Sequence, residues 1–324
     1  MTALRNSAVG LALVLLSLSG RAATAQWAPG KSVRIVVPFP PGGTTDVIAR
    51  LLAQQITQSS GQAFVVENRP GAGTIIATEA VAKAAPDGAA LLLMANSFVI
   101  NPSLRANLSY DPLTSFEPIC LLATSPQILV VNGASPFRTV ADLVTAARAK
   151  PGELSIAANG PATTQHVAAE MFKRAAGVNL TYVPYAGGIP AVTALLGGHV
   201  TAAVANYSEM MEHVPPGKLR PLAVAASERF EPLPEVPTMA EAGYPDVLAT
   251  AWFGMVAPAK TPKDAVAQIS AALTSALAVP DIRAKLVAQG LYPSGTCGAD
   301  FGAHLRREFV DYARVIKDAN IKEE

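Results

Sequence analysis

The chain has little of the residues that most directly announce a chemistry. Only two cysteines, Cys120 and Cys297, occur in 324 residues. They have neither Cys-x-x-Cys spacing nor a neighbouring histidine, which argues against a metal centre or a dithiol redox pair. Two cysteines are no disulfide scaffold, and sequence leaves open whether they meet. Charged residues are few, and 25 basic against 24 acidic nearly cancel. With no basic run, nucleic acid and a polybasic membrane surface are poor partners. Half of the residues are hydrophobic, yet beyond the N-terminus no apolar run approaches the roughly 20 residues of a membrane-spanning helix. There is no Walker sequence and no Gly-x-Ser-x-Gly elbow. Gly71-Ala72-Gly73 lies between a strand and a helix, but Ile76 stands at the third glycine position and no acid ends a second strand, so it reads as a turn rather than a dinucleotide loop. His166 and Glu170 stand four apart with no third metal ligand evident. His199, His213 and His304 show no partner pattern and read as surface residues. No cofactor is implied.

The N-terminus carries the first positive signal. Arg5 precedes an apolar stretch, Ala8 to Leu18, broken only by Gly10 and Ser17, and Ala23-Thr24-Ala25 follows. A positive start, an apolar core and a small-x-small site predict a secretory signal cleaved after Ala25. Arg21 ends the stretch too early for a membrane anchor. The mature chain has 299 residues, 23 basic and 24 acidic, and is expected in the periplasm, where a disulfide is permitted.

Strand-like and helix-like segments then alternate. Ser32–Pro38 is β-rich, and Asp46 to Ile56 carries Val47, Ile48, Leu51, Leu52 and Ile56 at helical spacing. Ala63–Val66, Ala90–Met94, Ile128–Val131, Ser155–Ala158, Thr181–Val183, Val200–Val204 and Leu222–Ala225 read as strands, with helices over Thr74–Ala85, Thr139–Ala149, Thr164–Ala176 and Pro190–Leu196. The last third is mainly helical. This pattern predicts an α/β protein whose mainly parallel sheets are covered on both faces. Extended runs near Leu121–Pro126 and Leu222–Ser227 suit two hinge crossings. They divide the mature chain into residues 26–124 and 225–324 for one lobe and 125–224 for an inserted second lobe. A ligand cleft between the lobes is expected.

Pro38-Phe39-Pro40-Pro41-Gly42-Gly43-Thr44-Thr45-Asp46 joins the first strand to the first helix. The prolines stiffen it, the glycines open backbone angles closed to other residues, and Thr44, Thr45 and Asp46 suit a helix cap. Backbone N–H groups bared at a helix N-terminus favour an anion. A plain strand-to-helix turn has the same composition. Asn159-Gly160-Pro161-Ala162-Thr163-Thr164 repeats the element, with Thr163 or Thr164 as cap, and Tyr185-Ala186-Gly187-Gly188-Ile189-Pro190 is a third. Asn206 follows the strand Val200–Val204, and Ser97 follows Ala90–Met94. Open α/β sheets bind ligands at the carboxyl ends of their strands. With no arginine in these loops, recognition would rest on N–H groups and hydroxyls. Trp252-Phe253 suits either core or cleft wall.

At these same loops the sequence resembles the substrate-binding receptors of tripartite tricarboxylate transporters, the Bug receptors. The likeness runs from about Ser32 to the C-terminus. It is carried by VRIVVPFPPGGTTDVIARLLAQ (Val33–Gln54), VVENRPGAG (Val65–Gly73), APDG (Ala85–Gly88), INPSL (Ile100–Leu104) and YDP (Tyr110–Pro112). VPYAGG (Val183–Gly188), LLGGHV (Leu195–Val200), GKLRPLAVAAS (Gly217–Ser227), VPTMAEAGYP (Val236–Pro245) and WFGMVAP (Trp252–Pro258) continue it.

The resemblance implies a type II periplasmic-binding fold and no enzymatic activity. The implied ligand is a small carboxylate: a di- or tricarboxylate, an acidic amino acid, an aromatic acid or a related amide. The implied partners are the membrane permease subunits of a tripartite transporter. Its ligand-binding set here is Phe39, Pro41, Gly42, Gly43, Thr44, Asp46, Ser97, Asn159, Gly160, Thr163, Thr164, His166 and Asn206. Three departures stand out. Ala162 replaces a common glycine, Ala205 a common aspartate, and Gly73-Thr74-Ile75 a Gly-Gly-Asn or Gly-Gly-Thr run. Loss of the aspartate favours a ligand without an amino group. A sensor feeding a signalling partner, or a hydrolase in the same cleft, are the alternative readings.

Overall fold

The structure is a computed structural model and describes residues 31–322; the expected signal sequence lies outside these. Among the described residues, eleven strands form two sheets. One has the order β11-β4-β10-β3-β1-β2, from β1 (Val33–Val37), β2 (Phe64–Asn68), β3 (Ala90–Ala95), β4 (Phe116–Pro126), β10 (Thr250–Pro258) and β11 (Tyr292–Cys297). The other has the order β7-β6-β8-β5-β9, from β5 (Ile128–Asn132), β6 (Ser155–Asn159), β7 (Thr181–Tyr185), β8 (Ala202–Ala205) and β9 (Leu219–Val224).

Parallel pairing is confined to strands reached through a covering helix: β1 with β2 and β3, and β6 with β7 and β8. Strands β10 and β11 pair antiparallel in the first sheet, and β5 pairs antiparallel with β8 and β9 in the second. The sheets are therefore more mixed than strand–helix alternation suggests. A strand entering from the hinge needs no helical crossover, so nothing holds it to the parallel direction.

Each sheet is a three-layer sandwich. On one face of the first sheet lie α1 (Thr44–Ser60), α7 (Lys263–Ala278) and α8 (Pro280–Ala288). They bury Ile48, Leu52, Ile56, Leu273 and Leu286 against Ile35, Leu91 and Met255. The other face packs α2 (Ile75–Ala82), α3 (Ser97–Leu104) and α9 (Gly298–Ala319) around Phe98, Phe116, Trp252 and Phe301. The second sheet is covered by α4 (Val140–Ala149) and α5 (Thr164–Ala176) on one side and α6 (Gly188–Leu196) on the other. A fully buried side chain such as Phe172 contributes about 2 kcal/mol.

The chain passes between sheets at Gln127, a single residue between β4 and β5, and returns to the first sheet at Thr250. Residues 226–249, expected on the first lobe, place Met239, Val247 and Ala249 in the core of the second sheet. A disulfide joins Cys120 on β4 to Cys297 at the end of β11. Among the described residues no single helix is long and apolar enough to cross a membrane.

Candidate functional site

Strands β1, β3 and β10 of the first lobe and β6 and β8 of the second direct their ends into one cleft. Of the expected residues, Phe39, Pro41, Gly43, Thr44, Ser97, Asn159, Thr163, Thr164 and Asn206 line it. Gly42, Asp46, Gly160 and His166 do not; Asp46 and His166 are buried, whereas Gly42 is exposed. Residues outside the expected set also line it, among them Pro40, Gln165, Gly188, Ile189, Glu209 and Phe253. Neighbours on a strand face opposite ways, so Phe253 forms cleft wall while Trp252 turns into the core and donates from Nε1 to Glu308 (2.7 Å). His304, expected at the surface, stands among the rings of Trp252 and Phe301.

The first-lobe loop is braced from behind. Gly42 has φ of 84°, a left-handed angle that glycine takes at no steric cost. Gly43 is the N-cap residue of α1, and Thr44 begins the helix instead of capping it. Asp46 reaches back from the first turn. Its carboxylate accepts from the Gly42 N–H (3.0 Å), Arg50 Nε (2.8 Å) and Asn68 Nδ2 (2.9 Å). Burial alone would raise its pKa, but these hydrogen bonds together hold it below the usual carboxylate range. Asp46 is thus a strut.

The second-lobe loop is braced by its own side chains. Thr163 caps α5, accepting from the His166 N–H (3.3 Å) and donating to the Gly160 carbonyl (2.9 Å). Of the two threonines that the sequence offers as cap, Thr163 takes the role, and its hydroxyl is committed to the turn. The His166 ring is buried and stacks on Tyr182, 4.4 Å between centroids, and Tyr182 Oη donates to the Asn159 carbonyl (2.6 Å). Ala162 lies at φ of 63°, where a β-carbon costs about 1–2 kcal/mol. That same methyl is buried among Ile100, Val167 and Ile316, which returns about 0.8 kcal/mol. Thr74, at the other replaced glycine position, has φ of 82°. It is held by a bond to Ser97 Oγ (3.2 Å) and one from Asn101 Nδ2 (3.2 Å).

The lobes meet across the cleft mouth. Thr44 Oγ1 lies 2.7 Å from Ser208 Oγ and donates to Glu209 Oε1 (3.2 Å). Glu209 is buried and also accepts from the Asn206 N–H (3.0 Å) and Asn206 Nδ2 (3.2 Å). Desolvation pushes its pKa above the ordinary range against the pull of these donors and of the Thr44 N–H. Among the described residues, Glu209 is the only acidic or basic side chain lining the cleft. Sequence reasoning missed it, although Asn206-Tyr207-Ser208-Glu209 has the spacing of a capping box, the one signal that placed it beside Asn206.

No group of three or more potential metal-ligating His, Cys, Asp or Glu side chains occurs among the described residues. Two α/β lobes that close helix N-termini on a shared cleft define a solute-binding receptor. The sequence matches the tripartite tricarboxylate transporter family receptor over residues 48–321, and the chain belongs to that family. It is 35% identical over 313 residues to BugT of Bordetella pertussis, covering 95% of this chain and 96% of that one. An R. palustris protein solved with adipate superposes with a TM-score of 0.87 at 35% identity, covering 91% of this chain and 99% of the other. MatC from Rhodopseudomonas palustris, with bound malate, gives 0.83 at 30% identity, covering 89% and 99%.

Proposed function

We propose that this receptor captures a small carboxylate in the periplasm and presents it to the permease subunits of a tripartite transporter. One observation carries the reading: the N-termini of α1, α5 and α6, drawn from both lobes, face a single cleft. The orphan N–H groups and dipole of each terminus favour negative charge. The adipate and malate of the related structures fit this chemistry. Binding shifts the balance of open and closed lobes, because ligand contacts with both exist only when closed. The family matched is one of receptors, which favours transport over the sensing and hydrolytic alternatives.

A thermal-shift panel of carboxylates, amino acids and acid amides, followed by calorimetry, tests this. A ligand at a hundredfold excess over Kd adds about 2.7 kcal/mol of stability. Thr163→Ala unties the α5 cap and is expected to weaken binding about tenfold. If no acid moves the melting temperature of ligand-free protein, carboxylate capture is excluded.

A further inference from the structure

Among the described residues, the cleft lining has one acidic side chain and no basic one. Its lining contains no lysine, arginine or histidine, only Glu209. The Glu209 carboxylate already takes the Thr44 hydroxyl of α1 and two donors of Asn206. It also lies against the start of α6, where a β-carbon on Gly188 would fall 2.0–2.2 Å from the carboxyl group. The position that a ligand carboxylate would seek at the α1 terminus is therefore occupied by a carboxylate of the protein itself. Asn159 supplies the second observation. It is more than nine-tenths buried and lines the cleft, and its Oδ1 has no hydrogen-bond partner among the described residues. An acceptor left in this state calls for a donor.

We propose that Glu209 selects the ligand class: the receptor takes a monocarboxylate whose far end is an ammonium or amide donor, and rejects dicarboxylates of the same length. This rests on the carboxylate-capture reading. The ligand carboxylate lies at the N-terminus of α5, away from Glu209, the donor end meets Glu209 and Asn159, and Phe39 and Phe253 of the first lobe close over the carbon chain between them. A second ligand carboxylate would face Glu209 with no cation to offset either, and like charges brought together out of water repel strongly. This reverses the sequence-based preference for a ligand without an amino group. The acid absent at Ala205 is supplied four residues later.

The probes are matched triads: succinate, 4-aminobutanoate and succinamate, then adipate, 6-aminohexanoate and adipamate. Calorimetry is run on the wild type, Glu209→Gln and Glu209→Ala, with melting curves to confirm folding. In the wild type the amino or amide acid is expected to bind at least about thirtyfold tighter than its dicarboxylate. In both variants that ratio should fall to within about threefold, chiefly through a gain in dicarboxylate affinity. A structural role alone would weaken every probe equally. Dicarboxylate binding equal to or tighter than that of its partners in the wild type, or a ratio unchanged by folded variants, overturns the inference and leaves carboxylate capture standing. Failure of every acid overturns both.

Discussion

Asp46→Ala is expected to lower unfolding free energy by about 3 kcal/mol and to weaken ligand binding at least about tenfold. The carboxylate is buried and is the shared acceptor of Gly42 N–H, Asn68 Nδ2 and Arg50 Nε. Removing it leaves the amide donors of Gly42 and Asn68 part-buried and short of an acceptor, which costs more than the net worth of the bonds. The Arg50 side chain is 55% exposed, so its ion pair contributes little of this. The affinity loss follows because the Gly42–Gly43 turn then no longer holds the α1 terminus in place.

The pH dependence has a definite sign. Asp46 has a lowered pKa when folded, so its stabilisation is complete above the unfolded value of 3.8 and fades as pH falls through the lower folded value. Urea midpoints of the two proteins should differ at about pH 7 and converge toward about pH 2. Equal midpoints at neutral pH would show that Asp46 braces nothing.

Breaking the Cys120–Cys297 bond should cost as much or more. The bond spans 177 residues of sequence, for which the chain-entropy account gives about 5 kcal/mol and common experience about 2–4. Cys120→Ala/Cys297→Ala should therefore lower the melting temperature by about 3–8 °C, and dithiothreitol should do the same to the wild type. The bond ties the edge strand β11 to β4, away from the cleft residues. Ligand affinity measured well below the new midpoint should change less than about threefold. An unmoved melting temperature would refute a structural role for the bond. A large affinity loss in folded protein would show that β11 supports the cleft.

Much of this molecule was legible in its sequence. The helical spacing of Ile48, Leu52 and Ile56, the β-rich runs, and the loops at Pro38–Asp46 and Asn159–Thr164 are local features, set by side-chain periodicity and by the backbone limits of proline and glycine. They fixed an α/β chain with helix termini suited to an anion, and the family motifs added the two-lobed receptor fold. What lay beyond reach depends on residues distant in the chain. Whether Cys120 meets Cys297 depends on β11 returning to β4, and whether Phe253 or Trp252 faces the cleft depends on the register of β10. Sequence offers Thr163 or Thr164 as the α5 cap, and the fold gives that role to Thr163. Glu209 looks like one surface acid among many until β8 carries it to Thr44, 165 positions away. Residue types and local spacing specify which groups a loop can offer. Only tertiary packing decides which of them remain uncommitted in the cleft, because hydrogen bonding and desolvation depend on neighbours brought from elsewhere in the chain.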